Sequence, residues 1–210
     1  MKRSRSRTLA VTAAMTAVTA LATLYLSVNT GTALFTLGDA AIFLTAAFFG
    51  PLPAAFAGGV GSFIADAAVF PATMWFSLAI KAIEGALAGF GALLARRVAV
   101  RRGGAAGWAV FVLSAVAAGA WMIAGYYLTN SLWWGSPEAA FANLPNDSVQ
   151  ATVAVAVAAA VAPAVSKALT SAKIARGKNK NETDGKPVDV HSEQDESGKK
   201  DEDGGRGTDG

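Results

Sequence analysis

The chain has 210 residues, 53% of them hydrophobic and 16% charged, with a formal net charge of +3. Its charges crowd the ends: Lys2, Arg3, Arg5 and Arg7 open the chain, eighteen charged residues fall in 170–210, and only eleven lie between Thr8 and Leu169. So low a charge excludes an ordinary soluble domain, whose charged share is about 25%, and the apolar runs point to an integral membrane protein. With no cysteine, its one histidine (His191) in the polar tail and no G-x-x-x-x-G-K-[ST] loop, the chain lacks thiolate chemistry, disulfides, Cys/His zinc sites, in-membrane haem ligation and P-loop ATP binding.

The first span covers 8–28 and follows a basic start. Its roughly twenty apolar residues exceed the ~7–15 of a secretory signal core, so it reads as a retained helix. Along it Ala10-x-x-x-Ala14 and Ala13-x-x-x-Ala17 place small residues at helical spacing, which permits close approach between membrane helices. The next apolar stretch, Ala40 to Ala65, carries Gly50-Pro51-Leu52-Pro53 at its middle. Two prolines there remove backbone donors and disfavour helix before each ring, so a break is predicted.

Charge parity supports that break. Lys and Arg accumulate on cytoplasmic loops, and each span reverses the side of the next loop. With two helices in place of one, Arg96, Arg97, Arg101 and Arg102 return to the cytoplasm, as does the run Lys167, Lys173, Arg176, Lys178 and Lys180, while 29–38, 67–75 and 130–147 contain no Lys or Arg. The expected fold is an all-α polytopic membrane protein with both termini cytoplasmic and six transmembrane helices at 8–28, 39–50, 52–70, 73–95, 108–129 and 147–169. The second is short, about 16 Å against a ~30 Å hydrocarbon core. The organisation expected is a basic cytoplasmic segment at 1–7, the membrane domain at 8–169 and a disordered charged tail at 170–210, too poor in apolar residues to fold.

Charges within membrane spans mark functional sites by default, and four stand out: Asp39, Asp66, Lys81 and Glu84. Lys81 and Glu84 are i,i+3 and share a helix face, as a structural ion pair or as a substrate contact. Asp39 follows Gly38 at a helix start, where an N-cap is the alternative to a ligand role. Asp66 is within reach of Lys81 on the next helix, for a pair or for a ligand contact. Trp75, Tyr126, Tyr127, Trp133, Trp134 and Phe141 gather on the outer side with Asn130, Asn143 and Asn146. They fit an interfacial aromatic belt or a stacking site for a flat heteroaromatic ligand. Gly58, Gly59 and Gly61 read as tight helix packing. The candidate substrate-binding set is Asp39, Asp66, Trp75, Lys81, Glu84, Tyr127, Asn130 and Trp133, with no metal or catalytic set and no cofactor.

The run Leu37-Gly38-Asp39-Ala40-Ala41-Ile42-Phe43-Leu44, then Phe49-Gly50-Pro51, Ala57-Gly58-Gly59-Val60-Gly61-Ser62, Ala65-Asp66, Lys81-Ala82-Ile83-Glu84-Gly85 and Ala88-Gly89, resembles the substrate-binding S components of energy-coupling factor (ECF) vitamin transporters. The resemblance covers residues 8 to about 169 and is closest to the riboflavin and hydroxymethylpyrimidine type, with helices five and six alike only in hydropathy. It implies a six-helix protein of the cell membrane, prokaryotic in type, that binds riboflavin, a thiamine precursor or a related vitamin near its outer face. It also implies docking on one transmembrane coupling subunit and two ATPases, with Ala10, Ala13, Ala14 and Ala17 on the docking face.

Two other functions compete with this one. A small intramembrane enzyme would use Lys81/Glu84 or Asp39/Asp66 as acid and base, but no nucleophile with an adjacent base accompanies them. A self-sufficient proton-coupled permease would use Glu84 as carrier, and six spans without a visible internal repeat argue against it. The orientation is open to direct test on a chain without native cysteine: an impermeant thiol reagent added outside should label Ser136→Cys and leave Gly103→Cys untouched. Outside labelling of Gly103→Cys would remove the six-helix arrangement.

Overall fold

The computed structural model describes residues 2–29, 34–133 and 135–183. Trp134, His191 and the rest of the tail beyond 183 lie outside them. The chain divides into two units, Met1–Val165 and Ser166–Gly210; the first holds the helical bundle and the described part of the second is helical. In order, the elements are α1 (Lys2–Tyr25), a hairpin of β1 (Ser27–Asn29) and β2 (Leu34–Thr36), α2 (Gly38–Phe49), α3 (Pro51–Val69), α4 (Met74–Arg102), α5 (Gly104–Leu128), a π-helical turn (Thr129–Trp133) and α6 (Pro137–Thr183). Five of the helices are long and apolar enough to cross a membrane, and α2 is a shorter apolar helix.

The α2–α3 break falls where the prolines predict it. Gly50 adopts φ +87°, and Pro51 occupies the first turn of α3, where a missing N–H costs nothing. The carbonyls left over at the end of α2 are partly satisfied from another helix: Arg96 Nη2 donates to Ala47 O at 2.6 Å and to Phe48 O at 3.0 Å. Arg96 thus anchors the break to α4.

Several boundaries differ from the sequence expectation for local reasons. α4 runs on to Arg102, and Gly103, at φ +95°, turns the chain directly into α5. α6 begins ten residues before 147, because Ser136-Pro137 is itself a helix start: Ser136 Oγ accepts from Ala139 N at 3.3 Å and its carbonyl from Ala140 N at 3.0 Å. Pro145 and Pro163 are then carried inside the helix. α6 also continues past 170 to Thr183, through a segment that includes the helix formers Ala172, Lys173, Ala175 and Arg176. The hairpin between α1 and α2, with Ser27 opposite Thr36, was not expected at all; its strands are only three residues long and carry no periodic signal.

Small residues set the helix spacing. A β-carbon on Gly85 would collide with the backbone of Ala54, one on Gly89 with Pro51, one on Gly58 with the Lys81 carbonyl, and one on Gly61 would lie 2.9 Å from Thr19 Cβ. Alanines fill most of the remaining interior, around Phe43, Ile42 and Met122 as the larger buried side chains. Membrane helices gain nothing from hydrophobic association in lipid, so close backbone approach supplies the packing. Bulky side chains point outward instead, among them Leu9, Leu52, Phe90 and Leu113, all more than half exposed. Replacing Gly85 with Ala should therefore push α3 and α4 apart and cost about 1–3 kcal/mol, read as a lower melting temperature of the purified protein. Gly104→Ala, whose new methyl meets nothing within 4 Å, should leave the melting temperature in place.

Candidate functional site

Three helices place polar residues in stripes: Ser62 and Asp66 on α3, Ser77, Lys81 and Glu84 on α4, and Asn143, Asp147 and Gln150 on α6. Spacings of three, four and seven put each set on one helix face, and the bundle turns the three faces toward each other. Together with Thr23 of α1, Thr36 of β2, Asp39 of α2, Tyr126 of α5, Asn130, Phe70 and Thr73, most of them line a cavity of about 260 Å³. The cavity sits at the N-terminal end of α4. Lys81 is fifteen residues from Arg96, about 22 Å along the helix, so the arginine cluster marks the opposite end of the bundle.

The floor of the cavity is a buried ion network. The Lys81 ammonium donates to Asp39 Oδ1 and lies 3.0 Å from Glu84 Oε2, a contact without the alignment of a hydrogen bond. Gln150 Nε2 donates to Asp39 Oδ2 at 2.8 Å, and Gln150 Oε1 accepts from the Thr36 backbone N–H at 2.9 Å. One amide therefore ties α6, α2 and the hairpin together. The Tyr126 ring centroid is 5.6 Å from the ammonium, close enough for a cation–π contact, and its hydroxyl is 2.9 Å from Ser77 Oγ. Glu84 is fully buried behind Lys81, and its Oε1 has no hydrogen-bond partner.

The sequence candidates separate into three groups. Asp39, Asp66, Lys81 and Asn130 line the cavity, and Glu84 supports it from behind. Asp39 caps no helix: Leu37 occupies the cap position without a side-chain bond, and the carboxylate turns inward because a buried ammonium and an amide satisfy it better than one backbone N–H. Asp66 accepts from Thr73 Oγ1 at 3.4 Å, Lys81 being engaged by the other two carboxylates. Trp75 and Trp133 stand 62% and 69% exposed, against Phe63 and Phe76 respectively. Tyr127 lines a separate apolar pocket with Ile123 and Leu144, while its neighbour Tyr126 faces the cavity.

Asp147 and Gln150 are absent from the sequence-derived set, which takes no residue from the sixth helix. The signal was present in the spacing of Asn143, Asp147 and Gln150, which places the three on one helix face. On α1, Ala10, Ala13, Ala14 and Ala17 are all exposed; none is used in packing the bundle.

Comparison with known proteins agrees with this architecture. A model of the ECF-type riboflavin transporter S component family matches residues 3–176. The chain is also 36% identical over 118 residues to an uncharacterized protein in the gap 3' region of Pyrococcus woesei, a match covering 56% of this chain and 72% of that one. A match across nearly the whole membrane domain places this chain in the ECF-type riboflavin transporter S component family: it is the substrate-binding, multi-pass membrane subunit of an ATP-driven vitamin importer, and not an enzyme.

Proposed function

We propose that this subunit captures riboflavin in the polar cavity and presents it to a complex of one transmembrane coupling subunit and two ATPases. The observation that carries the reading is the Lys81–Asp39–Gln150 network: fixed polar groups buried at the floor of a cavity, which is how small-molecule sites orient their ligands. An isoalloxazine ring offers carbonyls and ring nitrogens to such groups and a flat face to Tyr126. The cavity, at about 260 Å³, is at the lower edge of the ~300–1,000 Å³ of small-molecule sites, so flavin entry requires the rim at Phe70, Asn130 and Asn143 to move outward.

The orientation follows from charge. Segments 26–29, 34–37, 70–73, 129–133 and 135–136 at the cavity end contain no Lys or Arg, whereas the other end carries Arg96, Arg97, Arg101 and Arg102, which favours a cavity open to the outside. The exposed Ala10, Ala13, Ala14 and Ala17 face of α1 supplies a surface of small residues on which a coupling helix can approach closely.

Riboflavin should quench the tryptophan fluorescence of the purified protein saturably, and excess thiamine or hydroxymethylpyrimidine should not compete. Absence of riboflavin binding would overturn the reading. The role of Lys81 is separable from its structural one. Lys81→Met strips two buried carboxylates of their counter-charge and should cost about 3–5 kcal/mol of stability. Adding Glu84→Gln should recover folding while riboflavin affinity stays roughly ten- to a hundredfold down; full recovery of affinity would show that Lys81 makes no ligand contact. Ala14→Trp should retain riboflavin binding and abolish uptake by the assembled importer, since it blocks helix approach without touching the cavity. Equal loss of both would place this face inside the subunit.

A further inference from the structure

We propose that Asp66 and Asp147 make the cavity selective against anions, so that it takes riboflavin in its uncharged form and turns away the phosphate monoester. This inference rests on the riboflavin reading above and adds to it the residues that set specificity. The side chains lining the cavity that carry charge are Asp39, Asp66, Asp147 and Lys81, three acids and one base, with Glu84 immediately behind. Lys81 is already committed, bonded to Asp39 and 3.0 Å from Glu84. Among the described residues no basic side chain lies within ion-pair distance of Asp66 or Asp147, and the arginine cluster is at the far end of the bundle.

A phosphate monoester carries about −1.5 to −2 charges at pH 7 and is held by free ammonium or guanidinium groups. This cavity offers none. The exclusion does not depend on which end of the flavin enters first. Asp39, Lys81 and Gln150 are buried at the floor, 1%, 4% and 6% exposed, so a phosphate carried inward meets an ammonium already shared by two carboxylates. Asp66 and Asp147 are half-buried, one helical turn from Ser62 and nearly one from Gln150 toward the rim, so a phosphate trailing behind meets these two instead. Like charges brought together in a partly desolvated site are strongly penalised, and the penalty falls on the phosphate ester alone, since riboflavin carries no charge.

The test compares riboflavin with riboflavin phosphate on the purified full-length chain, by direct titration and by competition. The wild-type chain should bind riboflavin phosphate roughly a hundredfold more weakly than riboflavin. Asp66→Asn and Asp147→Asn, singly and together, should narrow that ratio by about tenfold or more, and Asp147→Glu, which keeps the charge, should retain it. The ratio is the readout because a purely structural loss lowers both affinities together. Binding of the two flavins with about equal affinity by the wild-type chain, or an unchanged ratio in the Asn variants, overturns the selectivity and leaves the riboflavin site standing. Failure of the wild-type chain to bind riboflavin overturns both.

Discussion

The interaction on which the rest of the structure depends is the ion group around Lys81. On insertion scales a charged side chain at the centre of a membrane helix costs about 2.5–3.5 kcal/mol, so Lys81, Asp39 and Glu84 are tolerable only as a group. Their mutual satisfaction requires α2 and α4 to meet at one depth and one rotation, and Gln150 extends the same requirement to α6 and to the hairpin at Thr36. Sliding α2 or α4 by one turn would part Asp39 from Lys81 and leave a buried carboxylate unpaired, and sliding α6 would take Gln150 from Asp39 Oδ2. The network therefore fixes register as well as supplying the polar floor of the cavity.

Register alone would not bring these groups into contact. The frame around them is held by close packing, since Gly58, Gly85 and Gly89 let α3 and α4 approach until backbone meets backbone. Glycines and alanines thus act in two directions. Inside, they let α3 and α4 pack backbone against backbone; outside, on α1, they leave a face of small residues that the bundle itself does not use. The short α2 fits the same logic. Its end at Gly50-Pro51 leaves carbonyls that Arg96 satisfies, so a helix of about 18 Å is held in a bundle of full-length spans by the hydrogen-bonding groups at its two ends, Asp39 at one and its last carbonyls at the other.

The two ends of the bundle consequently differ in chemistry. One carries acids, amides and hydroxyls around a cavity; the other carries arginines and the helix break. The sequence carries no P-loop motif, and membership in an ECF importer family assigns ATP hydrolysis to other subunits. The binding subunit is left with recognition.

Much of this was legible in the sequence. Composition and charge parity determined a six-helix membrane protein, because hydrocarbon and water reject the wrong residues with a large penalty and the signal accumulates over twenty residues at a time. Gly50-Pro51 determined the break, because a glycine free to adopt φ +87° precedes a proline that fits the first turn of the next helix. Lys81 and Glu84 were legible as neighbours because they share one helix. The partner that completes them was not: Asp39 and Gln150 lie 42 and 69 residues from Lys81 in the sequence, on α2 and α6, and nothing in a one-dimensional pattern says which helix faces which. The same limit separated Tyr126 from Tyr127, adjacent residues of equal chemistry pointing to different surfaces. The sequence by itself determined which residues could not face lipid; only the tertiary structure decided which of them would face each other, because helix rotation and pairing are set by packing between surfaces remote along the chain.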